Sequence, residues 1–464
     1  MVAPLSDSVL GTILNDPLLS QEFKMKKEIL FNRSLWILSV LIYSSVFSIL
    51  YADENSGKNT TIYTLTNDPV VNGNAVAAYR QNADGSLAPL PGSPFLTGGM
   101  GWKTKFVLPH FGPFDLDQAI TLSPDKKRLF AVNGGSDTVA VFDVSDDGSL
   151  KPVPGSPFPS GGKNPVSIGY AGDYLVVVNK NEDPGRDMAA SKPNYSVHKI
   201  TENGALMPVP EGKVELATAS RSPTQALIVN NRFVYDGDFG SFYLPAREAM
   251  WGKLLNKQKP STIRVLQLSE DGKLSLLQEL EAPQGIFDGG LDTNKDGKPD
   301  PLMFGLQSHP KEPLIYVSMV TGAKLGVFEY DDSGTLKFVD SASNSGELIC
   351  WVAINKAGTR AYTTNNGSDT VSVYDLSDPR HPKEIQHMDL RGYGAPYQLA
   401  LSPDEKYLYT VKHRTFDKTP VGDGGTLNVV EIGAEGRITE NKYSPYNIPN
   451  RGDLLARPLG IATR

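Results

Sequence analysis

Short apolar runs broken by Gly, Asn, Asp and Ser recur along the chain, and residues 346–379 (GELICWVAINKAGTRAYTTNNGSDTVSVYDLSDP) show the pattern best. Three β runs are predicted there, at 349–354, 360–364 and 370–376. The first is almost wholly apolar, as in a strand buried on both faces. The third alternates Val371, Val373 and Tyr374 with Ser372 and Asp375, the mark of a half-buried strand. Between the runs, Lys356-Ala357-Gly358 and 365–369 (NNGSD) supply residues that tolerate positive φ, so the runs fold back antiparallel. A lone meander of this kind exposes an edge and buries no core, so it requires neighbours.

The neighbours are repeats of it. Second strands of the same type stand at 129–133 (LFAVN), 175–179 (LVVVN), 233–236 (FVYD), 315–318 (IYVS), 361–364 (AYTT) and 408–411 (LYTV). Steps from Phe130 through Val176, Phe233, Ile315 and Ala361 to Leu408 are 46, 57, 82, 46 and 47 residues. A base period of that size with four short strands is a β-propeller blade. Turns such as Asp147-Gly148, Asp271-Gly272 and 332–336 (DSGTL) lead into the fourth strands.

Near the N-terminus, 61–64 and 75–79 read as a blade that lacks its innermost strand. The missing strand is at the far end, where 457–462 (RPLGIA) matches blade starts such as 395–400 (APYQLA). The reading is therefore an all-β, seven-bladed β-propeller whose C-terminal strand completes the N-terminal blade and removes both free edges. Excess length is concentrated in connections 98–117, 180–194, 238–260, 281–301 and 412–425. In a meandering blade, strand 2–3 connections share a face with those from strand 4 to the next strand 1, so all five gather on one face. Long loops on a rigid scaffold carry function, which predicts a site at the channel mouth on that side.

Composition adds bounds. The 464 residues, with 44 Gly and 34 Pro, suit a turn-rich all-β chain, and a net charge of −7 without a basic run excludes nucleic acid as partner. Lys24, Lys26, Lys27 and Arg33 precede an apolar run at 35–50, followed by Leu50-Tyr51-Ala52. That is the pattern of a signal peptide over 25–52 with Asp53 as the mature start. Residues 1–24 read as a spurious extension, and 53–464 as a single propeller domain, periplasmic or secreted. An uncleaved signal anchor is the alternative; after cleavage no membrane contact and a monomer are expected. The single cysteine, Cys350, lies in an apolar strand and reads as a core residue.

Three sets of residues carry candidate chemistry. Asp292, Asn294, Asp296 and Asp300, with Gly297 at the turn, place oxygen donors at the positions of a calcium loop, so a structural Ca²⁺ is expected. The twelfth position is Met303 rather than Glu, which departs from an EF-hand. Inner strands should turn Gln118 or Ala119, Ser167, Gln225, Gly305, Trp351, Gln398 and Gly460 toward the axis. Of these, Gln225, Trp351 and Gln398 are candidate ligand-binding residues, the plainer role of the amides being to bond neighbouring blades. On the long connections, His110 with Asp117, and His413 with Arg414, are candidate acid–base and carboxylate-holding groups. No nucleophile elbow, phosphate loop or His-Glu-x-x-His motif is present.

The stretches 131–142 (AVNGGSDTVAVF), 364–374 (TNNGSDTVSVY) and 401–409 (LSPDEKYLY) resemble the lactonase-type seven-bladed propellers, the group of 6-phosphogluconolactonase and carboxy-muconate cyclase. The resemblance runs from about Thr61 to the C-terminus. It implies hydrolysis or cyclisation of a lactone or related small carboxylate. Of the catalytic pattern, 304–310 (FGLQSHP) keeps His309-Pro310 but lacks the Arg and first His, and 316–321 (YVSMVT) contains no acid. Two functions remain open: a hydrolase or cyclase with a reassembled site, or a propeller that binds a small molecule or a protein partner without chemistry.

Overall fold

The computed structural model describes residues 60–102, 118–181, 191–217, 222–238, 261–283, 285–290, 299, 302–392, 394–413, 425–449 and 456–464. These form seven antiparallel sheets. Blade 1 pairs Thr61–Leu65 with Ala75–Gln81 and, on its other side, with Leu459–Thr463. Blades 2 to 7 start with Ile120–Leu122, Pro165–Ala171, Leu227–Val229, Met303–Ser308, Ile349–Ile354 and Ala395–Leu401. Each inner strand touches that of the next blade, and the cycle returns through Leu459–Thr463 to Ile120–Leu122. The ring is closed by the C-terminal strand.

One local expectation changes. Thr370–Asp375 is buried from Thr370 through Tyr374, on both faces. Blades stack face to face, so a middle strand meets a neighbour on each side. Its polar positions are absorbed by hydrogen bonds: Asn365 donates through Nδ2 to Ser372 Oγ at 2.9 Å and to Thr370 Oγ1 at 3.0 Å. Solvent exposure falls instead on the outermost strands, such as Leu274–Glu281 and Lys383–Asp389.

Two repeated devices join the blades. A tyrosine of the second strand reaches the turn before the next blade's fourth strand. Tyr63 donates to Gly148 O at 2.7 Å, Tyr235 to Gly334 O at 2.8 Å and Tyr316 to Pro379 O at 2.7 Å. Burial lifts the Tyr63 phenol to about 12, so it stays a donor through the neutral range. The second device packs a glycine of the connecting segment onto the asparagine that ends the second strand. A Cβ on Gly346 would lie 2.4 Å from Asn365 Nδ2, and one on Gly99 would lie 2.4 Å from Asn133 Cγ. Cys350 is buried in the core among apolar neighbours, as its strand implied.

Candidate ligand site in the central channel

The inner strands are not regular. Pairing with the second strand slips between Pro165 and Ser167, Phe304 and Leu306, Ile349 and Val352, and Pro396 and Leu399. In blade 1 it slips across Gly460. A bulge leaves a residue out of the ladder and re-aims its side chain. Here the bulges fall at the positions expected to face the axis. The freed backbone groups are met locally: Trp351 N donates to Thr364 Oγ1 at 3.2 Å, and Thr364 Oγ1 donates to Tyr397 O in the next blade at 2.5 Å. Thr410 Oγ1 does the same for Gln398 O at 2.9 Å.

Inside the ring lies a cavity of about 480 Å³, within the size range of small-molecule sites. Trp351, Gln398 and Gln118 line it, and Gln307, Ser308, Lys126 and Thr463 stand farther along the inner strands. Exposure rises in that direction, from Gln398 at 1% and Trp351 at 7% to partly exposed Ser308 and Thr463 and exposed Lys126. The cavity therefore opens at the ends of the first strands, where the tight turns are. That is the face opposite the long connections. Among the described residues no acceptor meets the Trp351 indole N–H, and the side-chain amides of Gln118 and Gln307 make no hydrogen bond. Gln118 is also held at φ 52, a backbone conformation uncommon outside glycine.

The other expected site residues fall elsewhere. Gln225 is consumed by the scaffold: its Nε2 donates to Leu306 O at 3.0 Å and its Oε1 accepts from Leu306 N at 2.7 Å. It seals the bulge of the neighbouring blade and does not reach the cavity. His413 ends its strand fully buried, its ring 5.3 Å from that of Tyr397. Tyr397 packs on Phe304 at 5.4 Å, and Phe304 meets Trp351 edge-on at 6.3 Å. An aromatic chain thus links His413 to the cavity wall, but His413 does not line the cavity. His110, Asp117 and Arg414 lie outside the described residues, as do Asp292, Asn294, Asp296 and Asp300.

His309, the one catalytic-motif position retained, is a turn-former. Its Nδ1 accepts from Glu312 N at 2.9 Å and Lys311 N at 3.2 Å, so Nε2 carries the proton and donates to Gly358 O at 2.9 Å. It fastens the turn of blade 5 to that of blade 6 and has no ring nitrogen left for chemistry.

Blade 4 holds a second cluster of ionisable groups. Arg264, fully buried, pairs with Asp236 at 3.2 Å, with Asp238, and through Nε with Glu279 at 2.9 Å. Asp236 also accepts from Tyr195 of blade 3 at 2.5 Å and from the backbone N–H groups of Thr224 at 2.7 Å and Gln225 at 2.8 Å. Burial pushes the Asp236 carboxyl up to about 6, while the Arg264 charge holds it down. Each Asp236 oxygen is engaged by protein, which makes this cluster a tie between blades 3 and 4.

No protein-family model matches the chain, and no curated protein matches it in sequence. Solved structures match over nearly their whole length. A candidate 6-phosphogluconolactonase from Bacteroides uniformis aligns with TM-score 0.60 at 12% identity, covering 88% of this chain and 99% of its own. PpgL, the periplasmic gluconolactonase of Pseudomonas aeruginosa, aligns with TM-score 0.56 at 14% identity, covering 87% and 99%. A hypothetical selenium-binding protein from Sulfolobus tokodaii aligns with TM-score 0.56 at 11% identity, covering 88% and 93%. The fold is that of the lactonase-type seven-bladed propellers, and at these identities the likeness carries the fold alone.

Proposed function

We propose that this is an extracytoplasmic, lactonase-like propeller that takes a small lactone or related carboxylate into its central channel and hydrolyses or cyclises it there. The observation that carries this reading is the ring of bulges that turns Trp351 and Gln398 into a cavity of about 480 Å³, with the indole N–H left for a ligand oxygen. His110, Asp117, His413 and Arg414 are the proposed acid–base and carboxylate-holding groups. The apolar segment at 35–50 and the periplasmic neighbour support a location outside the cytoplasm. Among the described residues no helix is long and apolar enough to cross a membrane.

A second reading, a propeller that binds the same ligands without chemistry, is favoured by the full burial of His413 behind Tyr397. The two separate in one assay. Acid release from sugar lactones is followed at constant pH, beside thermal-shift titration with the same lactones and their acids. Catalysis predicts turnover that Trp351→Ala lowers at least tenfold and His413→Ala abolishes. Binding without chemistry predicts thermal shifts, lost in Trp351→Ala, and no acid release. Absence of both would dismiss the channel as a small-molecule site.

The calcium loop is proposed as a structural element. Saturating Ca²⁺ at a hundredfold excess over its dissociation constant should stabilise the fold by about 2.7 kcal/mol. Melting temperature should therefore fall in chelator, and Asp292→Ala with Asp296→Ala should remove the difference. Identical melting curves in chelator and millimolar calcium would exclude the site.

A further inference from the structure

The cavity's lining is lopsided in charge. Among the described residues around it, Lys126 is the one ionisable acid–base group other than Tyr170, and no carboxylate lines the wall. This is unexpected in a chain whose net charge is −7. Lys126 sits in the turn after the inner strand of blade 2, at φ 60, a conformation that fixes where its side chain leaves the backbone. Among the described residues its ammonium makes no ion pair and no hydrogen bond. No described carboxylate on the turns at this end of the ring pairs with it. Asp125 accepts from Ser123 Oγ at 2.5 Å and Lys127 N at 3.0 Å, and Glu405 accepts from Lys356 N at 2.6 Å. Asp173 is exposed on its own turn.

The charged group that acts on Lys126 is instead another cation. Burial, and then the charge of Lys356 on the turn of blade 6, hold the Lys126 ammonium below the usual lysine range. Lys356 is itself anchored, donating to Pro403 O of blade 7. Lys126 is the charged group on the cavity wall itself, while Asp125 and Asp173 act on the neighbouring Tyr170 from outside it, and an unpaired ammonium at the rim of a low-dielectric channel attracts an anion there. Behind this opening stand groups suited to hydroxyls: the amides of Gln118 and Gln307, the Ser308 hydroxyl and the Trp351 N–H.

We propose that the short-turn end of the channel is a binding site for a small hydroxylated carboxylate, with Lys126 as the partner of its charge and Gln118, Gln307, Ser308 and Trp351 as partners of its oxygens. The ligand enters from the face opposite the long connections. This rests on the reading of the channel as a small-molecule site and adds to it the sign of the charge and the end at which it is held. A neutral lactone placed deeper, near Trp351, would leave as its acid toward Lys126.

The test is calorimetric titration of the purified protein with gluconate and with glucitol, its uncharged counterpart of the same length. Gluconate is expected to bind at least tenfold more tightly, and added salt should weaken gluconate alone. Lys126→Gln should bring gluconate down to the level of glucitol, Lys126→Arg should restore most of the difference, and Gln307→Ala should weaken both. Lys126 is in an exposed turn, so these variants are expected to melt like the parent. Equal affinity for the two ligands, or a Lys126→Gln variant that keeps its preference, overturns the inference. In that case loss of both ligands in Trp351→Ala would still support the channel reading. If neither compound binds, and no lactone shifts the melting temperature, both fall together.

Discussion

Removal of residues 454–464 is expected to abolish the folded monomer, with a loss of more than about 5 kcal/mol, beyond the range of ordinary single substitutions. The segment contains the strand Leu459–Thr463, the sole inner strand of blade 1. Its C-terminal end is tied by a reciprocal pair: Thr61 N donates to Arg464 O and Arg464 N to Thr61 O, both at 2.9 Å. It also touches blades on either side. Thr463 Oγ1 donates to Leu401 O of blade 7 at 2.7 Å, and Gly460 packs so closely on blade 2 that a Cβ there would lie 2.8 Å from Ile120 Cγ2. Without it Thr61–Leu65, buried throughout, becomes a hydrophobic edge. Size-exclusion chromatography and thermal melting read the result. A truncated chain that elutes as a monomer and melts with the parent would refute closure by this strand.

The second large effect is expected at Arg264. Arg264→Met keeps much of the volume but leaves Asp236 and Asp238 buried without their cation, and breaking a buried pair from one side costs about 3–5 kcal/mol. The deficit should depend on pH with a definite sign. In the parent, burial already raises the Asp236 pKa to about 6, and loss of the guanidinium raises it further. A carboxyl whose folded pKa lies above its unfolded value contributes stability below the unfolded pKa and loses it as pH rises through the folded pKa. The variant should therefore lag the parent least near pH 4 to 5 and most at pH 8. Urea melts at those pH values measure it, and a deficit that grows toward acid would contradict the assignment. The accompanying Tyr195→Phe change removes one neutral donor and should have a far smaller effect.

The scaffold was legible because its cause is local and repeated. Strand-length apolar runs, Asp-Gly and Asn-Gly turns and a recurring spacing require no knowledge of what packs on what. Even the closing strand could be identified, since Leu459–Thr463 belongs to the same pattern as Ala395–Leu401. The site was legible only in part. Trp351 and Gln398 were placed on the axis, yet Gln225, at the same kind of position, spends its amide on Leu306. That difference depends on a bulge in the next blade, and a slip of register leaves no mark in a single sequence. Lys126, Gln307 and Ser308 were passed over because 123–127 (SPDKK) and the polar end of 303–308 look like ordinary turn chemistry. The weak signal was Gln307-Ser308 ending an otherwise apolar inner strand. Arg264 was hidden for the opposite reason: a charge inside a β run reads as an exposed position until its two aspartates, on a different strand, are brought under it.

Closure by the last strand has a consequence for the order of events during synthesis. The partner that Thr61–Leu65 needs, Leu459–Thr463, is synthesised after every other described strand of the ring. At about 5–20 residues per second, some 20 to 80 s pass between the two. Throughout that interval the nascent chain is an arc, with six blades able to assemble in turn and the first unable to complete its sheet. Among the described strands, the pairing that closes the ring is then the last that can form. Whatever shields that waiting edge, from the first blade's appearance to the emergence of Leu459–Thr463, governs the yield of the protein as much as the stability of the finished ring does.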